Sequence, residues 1–136
     1  MAASTTTIFT KYQDGEIMEY PVYRTTKIPA GALVMLTSSG YAINGADMAS
    51  CTFVGVACEE ADNSGGSDGT INIQVRRKGV FRFLLGSAAV TDIGSDANCL
   101  YNNEVARDGT TSNDVTCGKI VGIDGSTHAW VDIDMR

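Results

Sequence analysis

With two prolines, one histidine and one tryptophan in 136 residues, this chain has little of what most catalytic chemistry needs. Nucleophilic catalysis requires a nucleophile beside a base that a third group orients. The single imidazole, His128, lies in a Gly-Ser-Thr-His stretch just before a terminal strand, where a surface-loop histidine is expected. No Gly-x-Gly-x-x-Gly or Walker loop is present to cradle a phosphate. The four cysteines, Cys51, Cys58, Cys99 and Cys117, are irregularly spaced and form no Cys-x-x-Cys pair. A zinc site is therefore not expected, and neither metal nor cofactor is assigned. Without an export signal the thiols read as reduced, small hydrophobes. The first ten residues have no basic start and no apolar core, and no apolar run approaches the ~20 residues of a membrane span.

Basic side chains are also scarce: 10 Lys and Arg against 16 Asp and Glu give a net charge of −6. A nucleic-acid ligand is not expected, because displacing phosphate counterions needs clustered cations. An anionic membrane surface is excluded on the same ground. Acidity of this size supports solubility and biases the choice of partner.

Glycine, in contrast, is plentiful, at 15 residues, and with so little proline it points to tight turns and bulges. No stretch has sustained helical periodicity. Short alternating or apolar runs recur between Gly, Asn, Asp and Ser clusters, which is the pattern of strands. Strands are expected at Glu16–Val22, Ala32–Thr37, Gly40–Ile43, Phe53–Ala57, Thr70–Arg76, Val80–Leu85, Asn98–Tyr101, Val105–Arg107, Gly118–Ile123 and Ala129–Met135. The order of these runs repeats. Val34-Met35-Leu36 matches Cys99-Leu100-Tyr101, Phe53-Val54-Gly55-Val56 matches Ile120-Val121-Gly122-Ile123, and Ile71–Val75 matches Val131–Met135. The expected fold is all-β, a sandwich or partly open barrel in a single domain over residues 16–136. It consists of two related modules, about 28–85 and 91–135, neither of which would bury its apolar face alone. Residues 1–15 read as an extended N-terminal arm.

The candidate binding residues follow from this frame. In the arm, Thr6, Thr7, Ile8, Phe9 and Tyr12 combine extended-backbone preference with apolar side chains. Such an arm suits strand addition to a neighbouring subunit. Arg76, Arg77 and Lys78 concentrate positive charge between two strands, as a solvated turn or as a patch for an acidic partner. If Val131, Ile133 and Met135 face the core, strand parity turns Trp130 outward, as an interface anchor or packed under a loop. Asp132 and Asp134 share one strand face about 7 Å apart, within the ~6.5–9.5 Å of inverting glycosidases. Nothing around them promises the apolar pocket that would raise one carboxyl's pKa, so they read as a solvated face. The oxygen-rich Glu59–Gly69 stretch lacks EF-hand spacing and reads as a solvated loop.

The runs Lys27–Val34, Gly40-Tyr41-Ala42, Phe53–Ala57 and Ile71–Val75 with Gly79-Val80-Phe81 resemble the cement (head decoration) proteins of tailed phages. The later runs Ile93-Gly94, Leu100-Tyr101, Ile120–Ile123 and Val131-Asp132-Ile133 continue that resemblance, which spans about residues 16–135. It implies a non-enzymatic, β-rich structural protein on the outer surface of the virion, present in the host cytoplasm during assembly. It further implies binding to the major capsid protein, as a homo-oligomer and most often a trimer, to clamp capsid subunits of the expanded head. The longer Thr-rich arm and the Glu59–Gly69 loop depart from that pattern. The alternative reading is a virion fibre, adhesin or carbohydrate-binding β domain.

Overall fold

The computed structural model describes residues 16–134, together with Ala3 and Thr6. The described chain is all-β. Its strands are β1 (Ile17–Pro21), β2 (Thr26–Ile28), β3 (Leu33–Leu36), β4 (Ala42–Asn44), β5 (Thr52–Ala57), β6 (Ala61–Asn63), β7 (Asn72–Arg76), β8 (Val80–Leu84), β9 (Asp96–Tyr101), β10 (Glu104–Arg107), β11 (Thr116–Asp124) and β12 (His128–Asp132). A single 3-10 turn, Val90–Asp92, interrupts them.

Two five-stranded units share one topology. In the first, the strand order is β1-β7-β5-β3-β4; in the second, β8-β12-β11-β9-β10 closes into a barrel. The closing contact of the second is the parallel pairing of Leu84 with Glu104. An isolated parallel bridge between Val22 and Ala42 curls the first unit in the same way. The boundaries of these units differ from the modules expected at 28–85 and 91–135. Each expected module begins one strand late, because β1 belongs to the first barrel and β8 to the second.

Pairing registers align the barrels residue by residue. Ile17 corresponds to Val80, Leu33 to Asp96, Ala42 to Val105 and Gly55 to Gly118, each 63 positions apart. Past β5 the second copy is shorter, so Arg76 corresponds to Asp132, 56 positions on. This corrects the sequence pairing of Gly55 with Gly122. The reason is steric. A Cβ on Gly55 would lie 2.2 Å from the Arg76 carbonyl oxygen, and one on Gly118 would lie 2.3 Å from that of Asp132. Both glycines sit at a bulge, at φ of +149° and +156°, where the neighbouring strand crosses too closely for any side chain.

Each barrel has its own apolar interior, filled by inward alternate residues. Val22, Val34, Val54, Ile73 and Val75 fill the first; Leu85, Cys99, Cys117, Val131 and Phe83 fill the second. The junction between them rests on the outer face of the first barrel. There Leu33, Met35, Phe53 and Val56 are buried in the cluster that includes the second barrel's interior. Their counterparts on the second barrel, Asp96, Asn98, Thr116 and Lys119, are polar. Asn98 alone of these is buried, under a loop whose Asp108, Thr111 and Asp114 accept from its amide. The same strand face is therefore an apolar interface in one copy and a polar face in the other. Polar bonds fix the junction's edge: the Leu33 N–H donates to the Asn102 carbonyl at 2.8 Å. The Ser112 and Asn113 N–H groups donate to the two Asp47 carboxylate oxygens at 2.9 Å each.

One region departs from expectation. Glu59–Gly69 is not merely a loop, since β6 pairs with β2 and covers one end of the first barrel. Asn63, 3% exposed, donates from its amide to the carbonyls of Val22, Tyr23 and Ser67. The second copy replaces this excursion with a short β11–β12 hairpin and places its 3-10 turn where the first has β2.

Candidate binding surface

Of the arm residues, Thr7, Ile8, Phe9 and Tyr12 lie outside the described residues, as does Met135. Thr6 is exposed at a bend. The Arg76-Arg77-Lys78 run is the bridge from β7 to β8, so it joins the barrels. Arg76 forms an ion pair with Glu16, while the Arg77 N–H donates to the Glu16 carbonyl at 2.7 Å. Lys78 is exposed, and Gly79, at φ +124°, makes the kink that starts β8. The triplet is thus a connector between the barrels, with Arg76 answered by Glu16.

Trp130 points outward as strand parity requires. Ala129 and Val131 beside it are fully buried, whereas Trp130 is 40% exposed. It is flanked across the sheet by Arg82 on β8 and Gly122 on β11. The absent side chain of Gly122 leaves room for the indole, because a Cβ there would sit 3.3 Å from Trp130 Cδ1. Next to it Arg82 Nε meets Asp124 Oδ2 at 2.6 Å. Val80, Val90, Ile93, Tyr101 and Val121 are further large apolar side chains exposed on this second barrel. On the first barrel, among the described residues, Ile17 and Met48 are comparably exposed. The external apolar surface is thus concentrated on one barrel.

The catalytic candidates do not converge. Asp132 and Asp134 line a surface depression of about 460 Å³ with Asp96 and Lys119. His128 lies at the far end of β12, its Nδ1 2.8 Å from the Thr127 hydroxyl oxygen. A Gly-x-Ser-x-Gly elbow is not expected from the sequence, yet Gly65-Gly66-Ser67-Asp68-Gly69 has that spacing. It forms a turn in the first barrel rather than a strand-to-helix elbow. Asp68 there is tied to Arg24 at 3.0 Å, and the Ser67 carbonyl is held by Asn63 and Thr70. Among the described residues, no three His, Cys, Asp or Glu side chains gather to hold a metal ion.

The perturbed groups belong to struts. Arg107 donates to both oxygens of Asp92 at 2.7 Å and to the Gly86 and Ser87 carbonyls, pinning the 3-10 turn to β10. Those hydrogen bonds hold the Asp92 carboxyl below the usual range. The Ser112 N–H does the same for Asp47 at the junction. A hydrogen bond with Cys99, reinforced by burial, pushes the Cys117 thiol well above the ordinary value, which removes it as a nucleophile. Burial likewise raises the Cys51 thiol.

Compared with protein-family models, curated proteins and solved structures, the chain matches none. No helix among the described residues is long and apolar enough to cross a membrane.

Proposed function

We propose that the protein is a structural binding module that coats the outside of an icosahedral phage head and clamps neighbouring capsid subunits, without enzymatic activity. The observation that carries this reading is the outward, exposed Trp130 on the barrel that also bears most of the exposed large apolar side chains of the described residues. An outward tryptophan supplies a large apolar contact with a polar handle, and tryptophan is enriched at binding hot spots. The perturbed carboxyls, by contrast, are engaged in holding turns and the junction. Two barrels joined through an apolar interface present contacts at a fixed spacing. A clamp needs such spacing if it is to hold two subunits at once. Repetition through a homo-oligomer, with a trimer matching threefold positions on the head, would multiply that effect.

The test is to mix the purified protein with undecorated expanded heads and with immature heads. Saturable addition to expanded heads alone, with greater resistance to heat and chelator, is the expected result. Trp130→Ala should weaken addition at least ~30-fold, the ~2 kcal/mol of a hot-spot residue, with the melting temperature nearly unchanged. Failure to bind heads, together with selective binding on a glycan array, would favour the carbohydrate reading, in which Trp130 stacks on a sugar ring.

A further inference from the structure

Between the barrels a groove of about 420 Å³ runs from Gly31 and Val56–Cys58 on the first to Phe81–Phe83 on the second, with Arg76 at its rim. A second depression of about 280 Å³ shares Gly31, Arg82 and Phe83 and carries the groove on towards Asn103 and His128. One wall of this trough is β8, whose hydrogen bonding is one-sided. On its β12 side the Leu85 N–H donates to Thr127 and the Gly79 carbonyl accepts from Ile133. The Leu84 N–H points the other way, to Asn103 beside β10. In an antiparallel ladder the direction alternates residue by residue, so Phe81 and Phe83 bond to β12 while Val80 and Arg82 direct N–H and C=O away from it. β10 meets β8 only at Leu84. Among the described residues, no partner is present for the Arg82 N–H.

We propose that this open edge of β8 takes up an extended polypeptide segment of the binding partner as an added strand. Identifying that segment with the capsid rests on the function proposed above. Main-chain bonds to Val80 and Arg82 would give affinity, and alternate side chains would give specificity. The groove selects an apolar side chain over Val56 and Phe81, next to a carboxylate. Charge complementarity supplies the second requirement. Arg76 and Arg82 line the groove, each with its ion-pair partner, Glu16 and Asp124, so this rim carries positive charge on a protein of net charge −6. The exposed ion pairs there are weak enough to exchange partners. An open edge is otherwise an aggregation hazard, and its place in a recess beside the inter-barrel bridge protects it from strand pairing between whole copies.

Arg82→Pro deletes the outward N–H without touching the β12 ladder, and Arg82→Ala removes the side chain but keeps that N–H. Val80→Pro is the second edge variant. Retained amide protection at Phe81 and Phe83 shows that each variant is folded. The probe is the capped peptide Ac-Thr-Val-Glu-Val-Thr-NH2, followed by amide shifts in NMR titration. Shifts should centre on Val80 and Arg82, with affinity falling about 10-fold in either proline variant, the ~1.4 kcal/mol of lost main-chain bonding. Arg82→Ala should stay within about threefold, and replacing the peptide's Glu by Lys should weaken binding. Shifts elsewhere, or proline variants that bind like the parent, overturn the proposal. Undecorated heads form a separate arm. If the parent protein ignores heads but the peptide behaves as stated, the capsid reading fails and the edge site stands. If heads take up the parent and the proline variants equally, the edge site falls alone.

Discussion

At the scale of single residues, the two bulge glycines carry the most weight. A methyl group at Gly55 or Gly118 would have to displace backbone, since the nearest obstructing atom is a carbonyl oxygen, with a buried valine methyl (Val75 or Val131) close behind it. Gly55→Ala or Gly118→Ala should each cost about 3 kcal/mol or more, in the range kept for backbone strain and overpacking. Gly122→Ala meets only the edge of Trp130 and should cost less than about 1 kcal/mol. Urea titration of the three variants reads the difference, and equal costs at Gly118 and Gly122 would contradict the close approach of the Asp132 carbonyl to Gly118. Asp92 makes a second prediction. Its carboxyl is depressed mainly by the Arg107 hydrogen bonds, so its contribution is present above the unfolded carboxyl value near ~3.9. That contribution is lost as the pH falls through the lower folded value. Asp92→Asn should therefore destabilise at pH 7 by about 2 kcal/mol, the worth of charged hydrogen bonds. Its difference from the parent should shrink towards pH 2.

Among elements, the strands legible in the sequence are those with apolar alternation or a dense apolar run, such as Asn72–Arg76 and Thr52–Ala57. β2 and β6 are not legible. Ala61-Asp62-Asn63 has low strand propensity and holds its place through pairing with Thr26–Ile28 and the buried Asn63 amide, which no local pattern reveals. Similar logic explains the misaligned repeat. Ile120-Val121-Gly122-Ile123 looks like Phe53-Val54-Gly55-Val56, but the position that must be glycine is set by a neighbouring strand, and Thr116-Cys117-Gly118 meets it in other residues. The outward tryptophan is readable because parity alone decides it. The groove beside β8 is not, since it lies between elements that are about 25 to 50 positions apart. Asn63→Ala should cost about 2 kcal/mol by leaving the Tyr23 carbonyl without its donor, while the Val22 and Ser67 carbonyls keep the Gly69 N–H and Thr70. Hydrogen exchange should show the loss first in Thr26–Ile28 and Ala61, while β11 and β12 keep their protection. Uniform loss over both barrels would mean that β2–β6 is not a separate cap.

For the whole molecule, the asymmetry between the two copies decides how they fold. The first barrel's outer face, Leu33, Met35, Phe53 and Val56, is apolar and depends on the second barrel for cover. The matching face of the second, with Asp96, Thr116 and Lys119, is already compatible with water. The second barrel closes through the parallel pairing of two of its strands, Leu84 with Glu104, and the first through an isolated bridge, so closure alone does not separate them. Dependence therefore runs one way. The intact chain should melt in a single calorimetric transition, because the shared apolar cluster couples the barrels. Phe53→Ala removes the largest side chain from that junction and should cost about 3–5 kcal/mol. The variant should then unfold in two steps, the first barrel melting first and the second retaining near-parental protection in β8, β11 and β12. A single, merely lowered transition would mean that neither barrel holds its structure without the other, and that the repeat is a feature of ancestry rather than of folding units.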